Sequence, residues 1–293
     1  MSETHTHMLS SLVLLAVTST LAGTALVYLR GWMTLRRVFP TLISGWRLAA
    51  FTSGLVLVGI AVVSPLTSLD HQLLTIHMVK HLLLMTVIAP LILAGTPRFP
   101  LVCGLPKLFI RSHPPIDRLA ARWLEHCRRH PAVCWLAGTA AVIGWHLPAA
   151  FQSGMRSHGM HTLEDISFLA AGLLFWWPIV QSSPSATSSS RWSMALYLFL
   201  ATLPCDILSA FLVFCNRLVY PFYLSAPHRF SMLPLADQEC AGALMWVWVT
   251  FAYLIPAVVI TVQILSPSNS RSQRSIHPGV AGGSRNGTEA GVL

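Results

Sequence analysis

The sequence predicts an all-α fold: a polytopic transmembrane bundle of seven helices, with the N-terminus outside and the C-terminus in the cytoplasm. Three observations carry this reading. Of 293 residues, 54% are hydrophobic and only 10% charged, the balance of a membrane protein and not of a soluble globule. Apolar runs of about 16 to 25 residues recur along the chain, near the length that crosses a bilayer core. Lys and Arg gather in alternate connections between those runs. Backbone groups in lipid must be satisfied internally, so the runs are helices, too long for the roughly ten-residue alternating strands of a membrane barrel.

The elements follow in order. The first run, Leu9–Leu29, is preceded by MSETHTHM, which lacks Lys and Arg, and is followed by basic residues. It is therefore expected to be a retained helix and not a secretory signal. Trp46–Val63 and Leu73–Leu93 are the second and third spans. The fourth, Ala132–Leu147, is the shortest and either draws in Pro148 or tilts little. Leu163–Val180, Trp192–Phe214 and Ala241–Leu265 complete a membrane domain over residues 1–265. Between spans three and four, Ile116–Arg129 puts Ile116, Leu119, Trp123 and Cys127 on one helical face. It suits a helix lying on the inner leaflet, with a solvated loop as the alternative. Ser182–Ser190 and Ser266–Leu293 are rich in Ser, Gly and Pro and are expected to be flexible, the second as a cytoplasmic tail over 266–293.

The formal net charge is +9, and its distribution matters more than its size. One side of the membrane receives fifteen basic residues: Arg30, Arg36, Arg37, Arg47, Arg98, Lys107, Arg111, Arg118, Arg122, Arg128, Arg129, Arg191, Arg271, Arg274 and Arg285. The other receives three, Arg156, Arg217 and Arg229. This asymmetry fixes the orientation and suits contact with anionic lipid. No solvated basic domain is long enough to bind nucleic acid. The six cysteines form no CxxC pair, which argues against zinc-ribbon and thioredoxin signatures. Cys215 and Cys240 fall near outer helix ends, as a disulfide, soft ligands or packing.

His77 and His81 lie four apart within the third span. On a helix they share one face, about 6 Å apart along the axis, at roughly 8 and 14 Å from the outer end. Ionisable groups at membrane depth are costly and point to function. An interhelical hydrogen-bonded pair is the structural alternative. The other polar residues gather at the same end. His71 lies at the mouth of span three, His146 ends span four, His158 follows in the loop, and His161, Glu164 and Asp165 open span five. Asp237, Gln238 and Glu239 precede span seven. Imidazoles, carboxylates and the thioethers of Met78, Met155, Met160 and Met245 are thus expected in one outer-leaflet pocket. Lys80 points about 100° away from each neighbour along the helix and is expected to pair with Asp70, Glu164 or Asp206. Asp206, after Pro204 and Cys205, belongs to a proton relay or a charge pair.

Histidine, methionine and carboxylate donors facing an oxidising compartment suit copper, with zinc the less favoured alternative. No HExxH motif, nucleophile elbow, Walker loop or Rossmann glycine pattern supports a hydrolytic or nucleotide-driven enzyme.

The chain resembles the CtaG family of cytochrome c oxidase assembly factors, seven-helix bacterial membrane proteins. The resemblance is carried by HMVKHLLLMTVIAPLILAGTP (His77–Pro97), GWHLPAAF (Gly144–Phe151), HTLEDISFLAAGLLFWWPIV (His161–Val180), LVYPFY (Leu218–Tyr223) and DQECAGALMW (Asp237–Trp246). It implies a non-enzymatic protein of the bacterial plasma membrane that helps deliver copper to a haem–copper oxidase subunit at the outer face. Residue by residue, it implies that His77, His81, His146, His161 and the Asp237–Gln238 pair match functional positions. The family commonly has glutamine where this chain has Lys80 and a second histidine where it has Asp165. A carboxylate at Asp165 can still ligate a metal or orient a ligating imidazole.

The expected metal set is therefore His77, His81, His146, His161, Asp165 and Asp237, holding Cu(I) transiently. A proton- or ion-coupled transporter using Lys80, Asp206 and the histidine pair is the main alternative. The chain lacks an internal repeat, and Pro90, Pro178 and Pro256 lie toward the inner span ends, which fits a transporter less well. A scaffold whose histidines bind haem or each other is the third reading.

Overall fold

The computed structural model describes residues 2–40, 44–63, 69–105, 114–181, 188–225 and 232–266, and no strand occurs among them. The helices are α1 (Ser2–Val38), α2 (Gly45–Val63), α3 (Leu74–Leu82), α4 (Ala89–Ala94), α5 (Arg98–Gly104), α6 (Pro114–Arg129), α7 (Pro131–His146), α8 (Pro148–Arg156), α9 (His158–Val180), α10 (Ser188–Phe214) and α11 (Pro234–Leu265). A π-helical turn, Leu83–Ile88, joins α3 to α4 in one continuous span.

Six helical stretches are long and apolar enough to cross a membrane: Leu14–Val38, Gly45–Val63, Leu74–Ala94, His158–Val180, Arg191–Phe214 and Pro234–Leu265. A seventh exists if α7 and α8 count together, and they are bent by 73° to one another. The short fourth run therefore does draw in Pro148, but as the first residue of a separate helix. Pro148 lacks an N–H and starts α8 more readily than it continues α7.

Other boundaries move for similar reasons. α1 contains the first apolar run and continues past it through Arg30 and Arg36, stopping just before Pro40. Proline at the first helical turn starts α11 at Pro234, which brings Asp237, Gln238 and Glu239 inside the helix. Ser188–Ser190, expected to be flexible, open α10. The segment after span three is the helix α6 and not a loop. Along it Cys127 is 1% exposed, whereas Leu119 and Trp123 are 69% and 51% exposed. The tail after Ser266 lies outside the described residues.

The Leu74–Ala94 span is the most buried and sits at the centre. Its α3 half packs on α11 and α9, and its α4 half on α2 and α9. α10 lies along α11, and α7 bridges α9 and α10. Met78, Leu84, Ile88, Phe175, Leu198, Leu212 and Tyr253 form the main core. A smaller core of Tyr28, Trp32, Phe51 and Leu55 ties α1 to α2, and the Tyr28 hydroxyl donates to the Gly95 carbonyl at 2.8 Å.

The π turn has a sequence cause. Pro90 has no N–H, so the carbonyls of Met85 and Thr86 lose a normal donor. Ala89 N–H bonds back to Leu84 in the wider pattern. The orphaned Met85 carbonyl instead accepts from the Trp176 indole at 3.0 Å. α9 comes close enough for this because residue 172 is glycine: a Cβ there would lie 2.9 Å from both Cα and the carbonyl oxygen of Met85.

Candidate metal centre

α3 contributes His77, Lys80 and His81, and α9 contributes His161, Glu164 and Asp165. Both sets follow the i, i+3, i+4 spacing that lines one helix face, so two packed helices turn matching polar faces toward each other. The loop before α3 adds Asp70 and His71. Asp70, His77, Lys80, His81, His161, Glu164 and Asp165 are all buried, none more than 8% exposed.

Lys80 is the hub. Its Nζ donates to Asp70 Oδ2 at 2.6 Å and lies 3.0 Å from Asp165 Oδ1. It also stands 2.7 Å from His161 Nε2, which in turn lies 3.1 Å from Asp70 Oδ2. Of the three carboxylates named from sequence as partners, the ammonium meets Asp70, while its second carboxylate is Asp165. Asp206 keeps a buried Oδ1 without a hydrogen-bond partner on α10.

The other contacts are close but poorly aligned. His77 Nε2 is 3.3 Å and His81 Nδ1 3.7 Å from Glu164 Oε1. His81 Nε2 is 3.3 Å from Asp165 Oδ1, and His161 Nδ1 is 3.3 Å from Glu164 Oε2. The His77 and His81 rings meet edge-on with centroids 4.3 Å apart. Six buried atoms of this cluster find no hydrogen bond of acceptable geometry: Asp70 Oδ1, His77 Nδ1, His81 Nε2, His161 Nδ1, Glu164 Oε2 and Asp165 Oδ1. Native structures leave few buried polar groups unpaired, so this concentration marks the cluster as the candidate site.

Two triplets have ligand atoms within 4.8 Å of one another: His77, His81 and Glu164, wholly buried, and Asp70, His71 and His161 at the mouth. At the mouth, burial opposes the Asp70 charge, but its contacts with His161 and the Lys80 ammonium hold its carboxyl well below the usual range. For His71, burial lowers the imidazole against the raising field of Asp70.

The sequence-predicted set is thus mostly gathered. His77, His81, His161 and Asp165 share the cluster. His146 lies to one side, its Nδ1 2.7 Å from the Val142 carbonyl and its Nε2 buried without a partner. Asp237 has a different task. Its carboxylate accepts from Leu74 N–H at 2.6 Å, Thr75 N–H at 3.1 Å and the Thr75 hydroxyl at 2.6 Å. It caps α3 from across the bundle, where a negative charge meets the helix dipole. Gln238 likewise ties the chain between α10 and α11, accepting from Val219 N–H at 2.7 Å and donating to the Leu212 and Arg217 carbonyls.

Glu164 and Asp70 are the additions. Glu164 is legible as the i+3 neighbour of His161, and Asp70 as one of the carboxylates expected to meet Lys80, though nothing periodic places it against His161. A short 3-10 turn, Pro221–Leu224, covers this end. Tyr223 donates to the Asp70 carbonyl at 2.9 Å, and Tyr220 to the His146 carbonyl at 3.0 Å. All six cysteines are free, so Cys215 and Cys240 form no disulfide.

These features define a helical membrane protein with a buried imidazole–carboxylate cage near one end of its bundle. The family model described as cytochrome c oxidase caa3 assembly factor (Caa3_CtaG) matches residues 26–266, and the chain belongs to that family. Uncharacterized proteins of Mycobacterium bovis and Mycobacterium tuberculosis are each 24% identical over 82% of this chain. One of Mycobacterium leprae is 24% identical over 85% of it. The chain spans only 37% to 38% of the length of these curated relatives. No solved structure matches it.

Proposed function

We propose that the chain serves cytochrome c oxidase assembly by binding copper in the cage of His77, His81, His161, Glu164 and Asp165 and passing it to an apo-oxidase subunit. The observation that carries this reading is the charge of the buried cage. Three carboxylates face one ammonium, so with neutral imidazoles two negative charges stay uncompensated in a site almost closed to water. Such a site takes up cations, either protons or a metal, because buried unpaired charge is costly. Imidazole and carboxylate donors suit copper and zinc. The positive-inside count supports an orientation with this end of the bundle outside a bacterial plasma membrane, where oxidase copper centres would be loaded.

The role is carriage and not catalysis, since a carrier needs moderate affinity and a ligand it can surrender. The test is metal content of purified protein together with copper content and activity of the oxidase in the producing strain. Stoichiometric copper in wild type, lost with oxidase copper in the His77→Ala/His81→Ala variant, is the expected result. No copper in the wild type, with normal oxidase in the variant strain, overturns the reading.

The buried Lys80–Asp70–Asp165 group favours one second reading, a proton-coupled transporter. Proteoliposomes separate the two, because a carrier that only hands metal to a partner moves no ion across the bilayer.

A further inference from the structure

Beside the cage, between α3 and the helices α7, α9, α10 and α11, lies a small cavity of about 30 Å³. It has room for one small ion or one or two waters. Its walls carry an unusual set of donors: the imidazoles of His81 and His146, the thioethers of Met78, Met85 and Met245, and the thiol of Cys205. The four sulfur-bearing side chains are each at most 6% exposed. The remaining walls are mainly apolar, among them Val142, Phe168 and Val249.

His146 supplies the second observation. Its Nδ1 lies 2.7 Å from the Val142 carbonyl, an obligate acceptor, so that nitrogen carries the proton. Its Nε2 therefore presents a lone pair, and that atom is buried without a hydrogen-bond partner. A neutral imidazole oriented by a backbone carbonyl is the usual arrangement of a histidine that ligates metal. His81 reaches both spaces: it lines the cavity and stands within 3.3 Å of Asp165 in the cage.

We infer that this cavity is a separate Cu(I) site, with His146 Nε2 and thioether sulfur as its ligands and His81 joining it to the cage. Soft sulfur donors in a small, mainly apolar space favour monovalent copper over zinc or any hard cation. The carboxylate-rich cage next to it has the opposite preference. The chain then holds two stations of different softness, and the inference rests on the copper reading of the cage.

The experiment is copper K-edge X-ray absorption on full-length protein loaded with Cu(I) under reducing conditions, in wild type and in Met78→Leu/Met245→Leu. This exchange nearly conserves volume, so the core stays filled. Affinity is read in parallel against a chromophoric Cu(I) chelator. The expected result is sulfur together with nitrogen around copper in the wild type, and loss of the sulfur shell with at least roughly tenfold weaker Cu(I) binding in the variant. Copper bound by nitrogen and oxygen alone, or a variant that binds as tightly as wild type, overturns the inference and leaves the cage reading standing. Sulfur-bound Cu(I) together with normal oxidase copper in the His77→Ala/His81→Ala strain does the reverse. A wild type that takes up no Cu(I) overturns both. The wild-type spectrum alone decides the ligand set if the variant does not fold.

Discussion

The Lys80 ammonium sits 2.6 Å from the Asp70 carboxylate, with Lys80 4% exposed and Asp70 fully buried. An isolated lysine here would be an error of design, yet this one neutralises part of a strongly anionic site. Removing one partner of a buried pair costs about 3 to 5 kcal/mol, because the other charge stays behind. Lys80→Met is therefore expected to lower thermal stability in detergent by that order. Lys80→Met/Asp70→Asn should lose clearly less than the two single losses added together, a coupling that a double-mutant cycle reads directly.

Asp70 also sets an acid dependence. Its carboxyl is held below the usual range in the fold, so its contribution to stability is fully present above the unfolded value near about 3.9. That contribution fades as pH falls toward the lower folded value. The stability difference between wild type and Asp70→Asn should thus be flat from neutral to about pH 4 and shrink below it. Thermal unfolding across that pH range checks the sign.

Asp237 caps α3 and stands apart from the cage ligands. Asp237→Ala is expected to cost about 0.5 to 2 kcal/mol, the range for a lost helix cap, while leaving metal uptake intact. Loss of bound metal at unchanged stability would return Asp237 to the ligand set.

The π turn makes Gly172 a test of close packing. Gly172→Ala pushes a methyl against the Met85 backbone and is expected to destabilise by about 1 to 3 kcal/mol, as overpacking does. Unchanged unfolding would mean that α9 can retreat from Met85 at no cost.

Composition and run length made the helical class and the spans readable, because the bilayer imposes one dominant length scale. The cage was half readable for the same local reason. His77 with His81 and His161 with Asp165 are four apart, a spacing that needs only the helix period to interpret. What sequence did not reveal are the partners that meet across long separations. Asp237 reaches α3 over 163 residues, and Asp70 faces His161 over 91. Neither pairing leaves a local trace. The 73° break after His146 was equally hidden, since hydrophobicity measures length and not direction.

The 3-10 turn over the site is bolted down at both ends, by Tyr223 to the backbone of Asp70 and by Tyr220 to the backbone of His146. A roof fastened this way does not swing open as a hinged flap. On the copper reading, traffic would instead pass the threshold at His71, whose side chain is 40% exposed while its neighbour Asp70 is sealed. The tempo of loading and release would then be set by side chains rearranging at that doorway, and a bulky replacement of His71 would slow exchange in both directions without altering how much metal the interior holds.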